Sequence, residues 1–224
     1  MPKLFLIPTP LNQEYNLISE SSKEILTIAD FVIGEEKKVV LRLLAANKLR
    51  GKQYYLLNEH TKYEEKFSLA QKVKSANIVV LFSDAGTPCI SDPGYDFVDI
   101  CHLLQIEVKS LNLESSILAA LSASGFYAEK FIYLGFPPIK GEKRKNFFKS
   151  LPVNNFTSIF LERPYVIKKI VDELSVVKSR IFISINIGFE DEKYLRGYIK
   201  DIAKEKEQLK KSPFVVVVEG ANSE

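Results

Sequence analysis

The chain is poor in the residues that mark metal and thiol chemistry. Its 224 residues include two cysteines, Cys89 and Cys101, and two histidines, His60 and His102. Four-ligand zinc spacing is therefore missing, and two cysteines make no disulfide framework. No metal site is expected, and a Ser-His-Asp triad would have to find its base in one of two imidazoles. His102 falls inside an apolar helical pattern, which assigns it to packing. Long apolar runs are also lacking, since none approaches the roughly 20 residues that span a bilayer. The run "LFLI" ahead of Pro8 is too short for the core of a signal peptide. These absences place the protein in the cytoplasm, with no membrane partner. A net charge of +3 is too small to announce a nucleic-acid binder by itself.

What is present has the balance of a folded chain. Hydrophobic residues make up 46% and charged residues 26%, which argues against disorder. The length allows one large domain or two small ones. In the first half, the β-rich runs "KLFLIP", "DFVIGEE", "QYYLLN", "NIVVLFS" and "EVKSL" alternate with helical patterns. That alternation predicts a mostly parallel sheet covered on both faces. The first helical pattern, over 17–29, is expected to pack Leu17, Ser21, Ile25 and Ile28 on one face. After the helix "SSILAALSASG", stopped by Gly125, the texture changes. "KFIYLGFPP", "TSIFLER", "RIFISINIGF" and "PFVVVVEG" predict the strands of a second α/β domain, with a helix at "PYVIKKIVDELS". The expected division is 1–113 and 114–224. The run "KDIAKEKEQLKK" alternates sign and reads as a solvent-facing helix.

Open α/β sheets bind ligands outside the carboxyl ends of their strands, so the loops that follow strands carry the chemistry. Neither G-x-G-x-x-G nor G-x-x-x-x-G-K-[ST] occurs there, which argues against dinucleotide and P-loop sites. The first strand runs instead into Pro8-Thr9-Pro10, which fixes φ and withholds backbone donors. After "NIVVLF" stands "SDAGTPCISDPG", twelve residues where about 2–6 are usual. Gly86 permits positive φ or close approach, and Pro88 and Pro93 stiffen the loop. Asp92 is read as the cap of a helix starting near Pro93. Asp84 sits where the last strand side chain leaves the sheet, a place for a cationic or hydroxyl-bearing ligand. One basic cluster stands out, "IKGEKRKNFFK", with Lys140, Lys143, Arg144, Lys145 and Lys149 against Glu142. A solvated helix face and an anion-binding surface both fit it.

The run "SDAGTPCISDPGYDFV" resembles the signature of the bacterial 16S ribosomal RNA cytidine 2′-O-ribose methyltransferases, within the tetrapyrrole (corrin/porphyrin) methylase superfamily. "LFLIPTPL", "GEEKK", "ALSASGF", "YLGFPPIKGEKRK", "FLERPY" and "PFVVVVEG" are similar to further landmarks of that family, in the same order. "NLESS" stands where the family has a Gly-Pro turn, and "SINIGF" where it has A-R-E-L-T-K, which marks a divergent member. The resemblance implies two α/β domains, the second with a mixed sheet, and S-adenosyl-L-methionine held between them. It also implies a homodimer and the small ribosomal subunit or its RNA as partner. Pro8, Thr9, Pro10, Ser83, Asp84, Ala85, Gly86, Thr87, Ser115 and Ser116 are the implied cofactor residues. Glu36 and Glu162 are the candidate proton acceptors for methyl transfer to a ribose hydroxyl. Lys38, Lys140, Lys143, Arg144 and Lys145 are the candidates for holding substrate. Blander roles stand beside these: Glu36 capping the helix that follows it, and Glu162 pairing with Arg163 or Lys168. Two rival functions also stand, a non-catalytic cofactor- or ribosome-binding paralogue and a methylase of a tetrapyrrole or other small molecule.

Overall fold

The computed structural model describes residues 1–111 and 114–221, so Asn112 and Leu113 of the "NLESS" turn lie outside the described residues. The chain divides into two compact units, Met1–Ser115 and Ser116–Glu224. In the first, five strands alternate with four helices: β1 (Lys3–Ile7), α1 (Glu20–Ile28), β2 (Phe31–Gly34), α2 (Lys37–Ala46), β3 (Tyr54–Leu56), α3 (Tyr63–Lys74), β4 (Ile78–Phe82), α4 (Gly94–Leu103) and β5 (Glu107–Ser110). All pairings are parallel, in the order β3-β2-β4-β1-β5. The two-residue period of a strand sends alternate side chains to opposite faces. Leu4, Ile33, Val79 and Leu81 join α3 and α4 on one face. Phe5, Val32, Val80 and Phe82 join α1 and α2 on the other. Burial on both faces explains why these strands read as unbroken apolar runs.

The second unit holds α5 (Ser116–Ser124), β6 (Phe131–Tyr133), α6 (Gly141–Lys149), β7 (Thr157–Glu162), α7 (Ile167–Glu173), β8 (Ile181–Ile185), β9 (Lys193–Gly197), the single-turn α8 (Ile199–Ile202) and β10 (Phe214–Val218). Its sheet, ordered β6-β7-β10-β8-β9, is mixed: β6 runs parallel to β7, and the other pairings are antiparallel. Phe160, Ile183 and Val216 pack with α6 and α7. Ile159, Phe182 and Val217 pack with α5 on the opposite face.

Three local expectations change. The 17–29 helix begins at Glu20, because Ser19 caps it by accepting from the Ser22 N–H at 3.2 Å. The buried positions are then Ser22, Leu26 and Ala29, while Leu17 and Ile28 are 55% and 59% exposed. "KDIAKEKEQLKK" forms one α turn and then a 3-10 segment over Ala203–Gln208. It has no apolar stripe to hold a longer helix, and its buried anchors are Ile202 and Leu209. Strand β9 was not visible in the sequence, because Leu195 is its one buried side chain. An edge strand of that kind carries no alternation to read.

Candidate functional site

Strand order locates the crevice in the first unit. From β2 the chain leaves through α2 toward β3, and from β4 it leaves through α4 in the opposite direction toward β5. Adjacent parallel strands whose connections diverge leave a crevice outside their carboxyl ends. Here those ends carry Glu35 and Glu36 after β2, and Ser83 and Asp84 after β4. The Glu36 N–H donates to Asp84 Oδ1 at 3.2 Å, so the two turns touch. Gly34 makes that approach possible. A Cβ there would stand 2.6 Å from Val40 Cγ2 and 2.9 Å from the Phe82 ring.

The long loop is pinned to the first one. Ile7 and Phe82 are partners in the β1–β4 register, so both loops leave the sheet side by side. Thr9 and Gly86 then form a two-residue antiparallel bridge, with Thr9 N–H to Gly86 O at 3.0 Å and Gly86 N–H to Thr9 O at 2.8 Å. The Thr9 hydroxyl donates to Ser83 O at 2.9 Å, and the Ser83 hydroxyl to Gly86 O at 3.0 Å. Gly86 has φ of +78°, where an L side chain would be strained. Thr87 Oγ1 donates to Glu114 O at 2.8 Å. Further on, Asp92 Oδ1 accepts from the Cys89 and Gly94 N–H groups at 2.9 and 2.8 Å. Pro93 itself holds the cap position of α4, so Asp92 ties the helix start from one residue outside it. Burial pushes the Cys89 thiol up to about 12, which leaves it protonated and unreactive near neutral pH.

The expected cofactor residues fall into two kinds. Pro8, Thr9, Pro10, Ser83 and Gly86 are buried, and the Thr9 and Ser83 hydroxyls are engaged by main-chain oxygens, so these residues give the loop its shape. Asp84 and Thr87 are half-buried and Ala85 is exposed, so these present the surface. Ser115 lies just beyond the Glu114 carbonyl that anchors Thr87, and Ser116 is the first residue of α5.

Two residues that the sequence did not single out lie near the Glu36 and Asp84 carboxyls, Glu35 lining the crevice and Tyr15 buried within reach of the Asp84 charge. Glu35 lines a narrow notch with Leu57, Leu81, Phe82 and Asp92. Its carboxyl is raised to about 7, first by burial and then by the charges of Asp84, Asp92, Glu36 and Glu59. The signal was available: Glu35 continues the alternation of Phe31 and Ile33 one residue past the end of β2, and it lines the notch. Tyr15 is 5% exposed, and its buried hydroxyl has no hydrogen-bond partner among the described residues. Its pKa is raised, chiefly by burial and then by Asp84. Nothing in the local pattern around Tyr15 marked it. Burial also raises Asp84, offset in part by the Glu36 N–H, and raises Asp92.

These groups suit S-adenosyl-L-methionine. A set of carboxyl groups favours a sulfonium and an ammonium and accepts from ribose hydroxyls. The orphaned Tyr15 hydroxyl, in the field of Asp84, lacks the partner that a polar ligand atom can supply. Glu36 stands at the cap position of α2 without a side-chain capping bond, so its exposed carboxylate is not engaged by the helix. Lys38 is exposed on the first turn of the same helix. Among the described residues there is no grouping suited to a metal ion, and no helix is long and apolar enough to cross a membrane.

The second unit treats its candidates differently. Lys140, Lys143 and Lys145 are exposed, but Arg144 is 5% exposed. Its Nη1 donates to Glu162 Oε2 at 2.7 Å and to Pro138 O at 2.9 Å. Its Nε and Nη2 clasp both oxygens of Glu173 at 2.8 and 2.7 Å. Glu162, with a side chain 1% exposed, also accepts from the Arg163 N–H at 2.9 Å. Lys168 pairs with Glu207 instead of Glu162. The guanidinium therefore lies inside the fold, because α6 turns that side chain toward buried Glu162 and partly buried Glu173.

Residues 3–203 match the family described as Tetrapyrrole (Corrin/Porphyrin) Methylases. The chain is 30% identical to Ribosomal RNA small subunit methyltransferase I of Thermotoga maritima, over 97% of this chain and 98% of that one. It is 32% identical to the protein of the same name from Vibrio cholerae serotype O1, over 79% of this chain and 61% of that longer one. A solved diphthine synthase, 15% identical, shares the fold with a TM-score of 0.73 over 99% of this chain and 91% of its own. The chain belongs to the tetrapyrrole (corrin/porphyrin) methylase family and, with that family, is an S-adenosyl-L-methionine-dependent methyltransferase.

Proposed function

We propose that the protein methylates a ribose 2′-hydroxyl of small-subunit ribosomal RNA. The observation that carries the reading is the loop pinned by the Thr9–Gly86 bridge beside the Glu35, Glu36 and Asp84 carboxyls at the switch point of the sheet. The names of the relatives from Thermotoga maritima and Vibrio cholerae support the acceptor. Bound S-adenosyl-L-methionine supplies an electrophilic methyl whose thioether leaving group needs no protonation.

The work of the chain is then alignment, charge and one proton. Residues 83–87, already ordered by folding, give a fixed seat without an ordering cost on binding. Alignment of donor and acceptor supplies most of the acceleration in an in-line displacement. Asp84 holds hydroxyl or ammonium groups of the cofactor, and exposed Glu36 takes the proton of the acceptor hydroxyl. Glu35, half protonated near pH 7, limits the repulsion among neighbouring carboxylates. Lys38 meets an acceptor phosphate as a point charge. Arg144 and Glu162 are engaged by each other and by Glu173, Pro138 and Arg163, and this reading takes them out of the catalytic and substrate sets and makes them structural. It keeps the protein a homodimer of the cytoplasm, as the family resemblance implies.

The test is methyl transfer from radiolabelled cofactor to small ribosomal subunits, with the product digested to nucleosides. A labelled 2′-O-methylnucleoside is expected. Label confined to bases, or no label in RNA under conditions where the cofactor binds, overturns the assignment.

A further inference from the structure

The strands β6 and β7 of the second unit run parallel, and the chain after β6 stays alongside the end of β7, with the Leu161 N–H donating to Gly135 O at 3.0 Å. The 135–140 loop and the 163–166 turn therefore leave one edge of the sheet as neighbours. Arg144 fastens them from beneath, binding Pro138 O in the loop, Glu162 at the end of β7 and Glu173 on α7. Three acceptors on three segments hold the main chain of the loop in place.

The outer side of this brace has an unusual composition. Phe136, Ile139 and Tyr165 are 47%, 69% and 65% exposed. Lys140 and Lys143 are exposed beside them, and the Arg163 side chain is 41% exposed, with its Nη1 3.5 Å from Glu162 Oε1 and its remaining N–H groups available. Of the nearby acids, Glu162 is buried against Arg144 and Arg163, and Glu173, 22% exposed, is held by Arg144 and Lys169. Glu142 is left facing outward, 3.8 Å from Lys145. The surface thus offers aromatic faces among cations, with most of its negative charge drawn beneath it. Unpaired nucleic acid has the matching chemistry, since bases stack on aromatic rings while phosphates meet Lys and Arg. A duplex keeps its bases stacked internally and gains nothing from the rings.

We propose that the 135–140 loop and the 163–166 turn form a docking surface for single-stranded RNA, with Phe136 and Tyr165 taking bases and Lys140, Lys143 and Arg163 taking phosphates. The proposal rests on the RNA-acceptor reading above and assigns that acceptor a binding surface.

The experiment is fluorescence anisotropy with a labelled twelve-nucleotide single-stranded RNA and the corresponding duplex. The proteins are the wild type, Phe136→Ala/Tyr165→Ala and Lys140→Glu/Lys143→Glu. Calorimetry with S-adenosyl-L-methionine and circular dichroism on each variant show that the fold and the first unit are intact. The aromatic pair is expected to weaken single-strand binding by about tenfold or more, with little change for the duplex. The lysine pair is expected to lower the slope of log affinity against log salt by about 1–2. Cofactor affinity should be unchanged in both. Unaltered single-strand affinity in the aromatic variant, equal competition by poly-glutamate, or no RNA binding by the wild type overturns the proposal. Methyl transfer to RNA by the wild type, with binding untouched in the variants, sinks this surface and spares the RNA-acceptor reading. Variant-sensitive RNA binding without any transfer to RNA does the reverse.

Discussion

Glu36 and Asp84, 48 positions apart, meet across 3.2 Å where the turns after β2 and β4 converge. A backbone donor satisfies one oxygen of a half-buried carboxylate. The bond fixes the orientation of Asp84 before any ligand arrives, which is the condition for a polar group to add affinity rather than lose it in ordering.

Asp84→Asn keeps the shape and removes the charge. A hydrogen bond from a ligand donor to a charged acceptor contributes about 1.5–3 kcal/mol, so cofactor affinity should fall roughly 10- to 100-fold. Isothermal calorimetry measures this directly. Wild-type affinity in the variant would remove Asp84 from the cofactor site.

Thr9→Val replaces the hydroxyl with a methyl of nearly the same size. The Thr9 side chain is fully buried, and its hydroxyl satisfies the Ser83 carbonyl. Losing that donor leaves a buried acceptor unpaired, at a cost of about 1–2 kcal/mol. Urea unfolding should show the loss. The Thr9–Gly86 backbone bridge needs no side chain, so the β1–β4 pairing should survive.

The strands and the long loop were legible because burial on both faces writes apolar runs, and the loop writes Gly and Pro where the backbone must be held. The acidic turn was legible as "GEEKK", but the sequence favoured Glu36 when Glu35 is the inward residue. Which of two adjacent acids enters a notch depends on where β2 ends, and it ends at Gly34, packed too closely against Val40 and Phe82 to carry a Cβ. By charge alone Arg144 belongs with several outward cations of the 140–149 cluster. Its burial follows from Glu162 and Glu173, which lie 18 and 29 positions away and are joined to it only by the sheet and α7. Charge runs record sign and not direction, so this inversion had no local trace.

Arg144→Ala should be among the costly substitutions in the second unit. It leaves buried Glu162 with only the Arg163 guanidinium at 3.5 Å and frees the Pro138 carbonyl, and breaking a buried pair from one side costs about 3–5 kcal/mol. Pairing Arg144→Met with Glu162→Leu removes both charges from that contact and should recover part of the loss. A double-mutant cycle by urea unfolding should show coupling of about 2 kcal/mol or more, and strict additivity would deny the network.

Glu35 gives a pH dependence of defined sign. Its folded pKa, about 7, lies above the ordinary 4.5. Between those values the folded state binds a proton that the unfolded chain has released. Its contribution to stability is therefore full below about pH 4.5 and is lost as pH rises through 7. Allowing for solvent screening of a half-exposed group, the change is on the order of 1 kcal/mol. Glu35→Gln should flatten the fall in urea midpoint between pH 5 and pH 8, and should be the more stable protein at pH 8. An unchanged slope would mean that Glu35 ionises like a surface acid.

Tyr15→Phe separates a group retained for ligand from one retained for folding, because the two roles predict opposite signs. The hydroxyl is buried without a partner among the described residues, and such a group costs about 1–3 kcal/mol of desolvation. Phenylalanine keeps the ring among its apolar neighbours and deletes the unsatisfied atom, so the variant should unfold at higher urea than the wild type. If a polar atom of the cofactor completes the hydroxyl in the bound state, the same deletion removes a hydrogen bond there. Affinity should then fall by about fivefold, the equivalent of roughly 1 kcal/mol. Higher stability together with weaker cofactor binding, measured on one preparation, is the signature of a polar group kept at a folding cost for the sake of the site. Lower stability would instead reveal an internal partner for the hydroxyl, and unchanged affinity would place Tyr15 outside the crevice's chemistry.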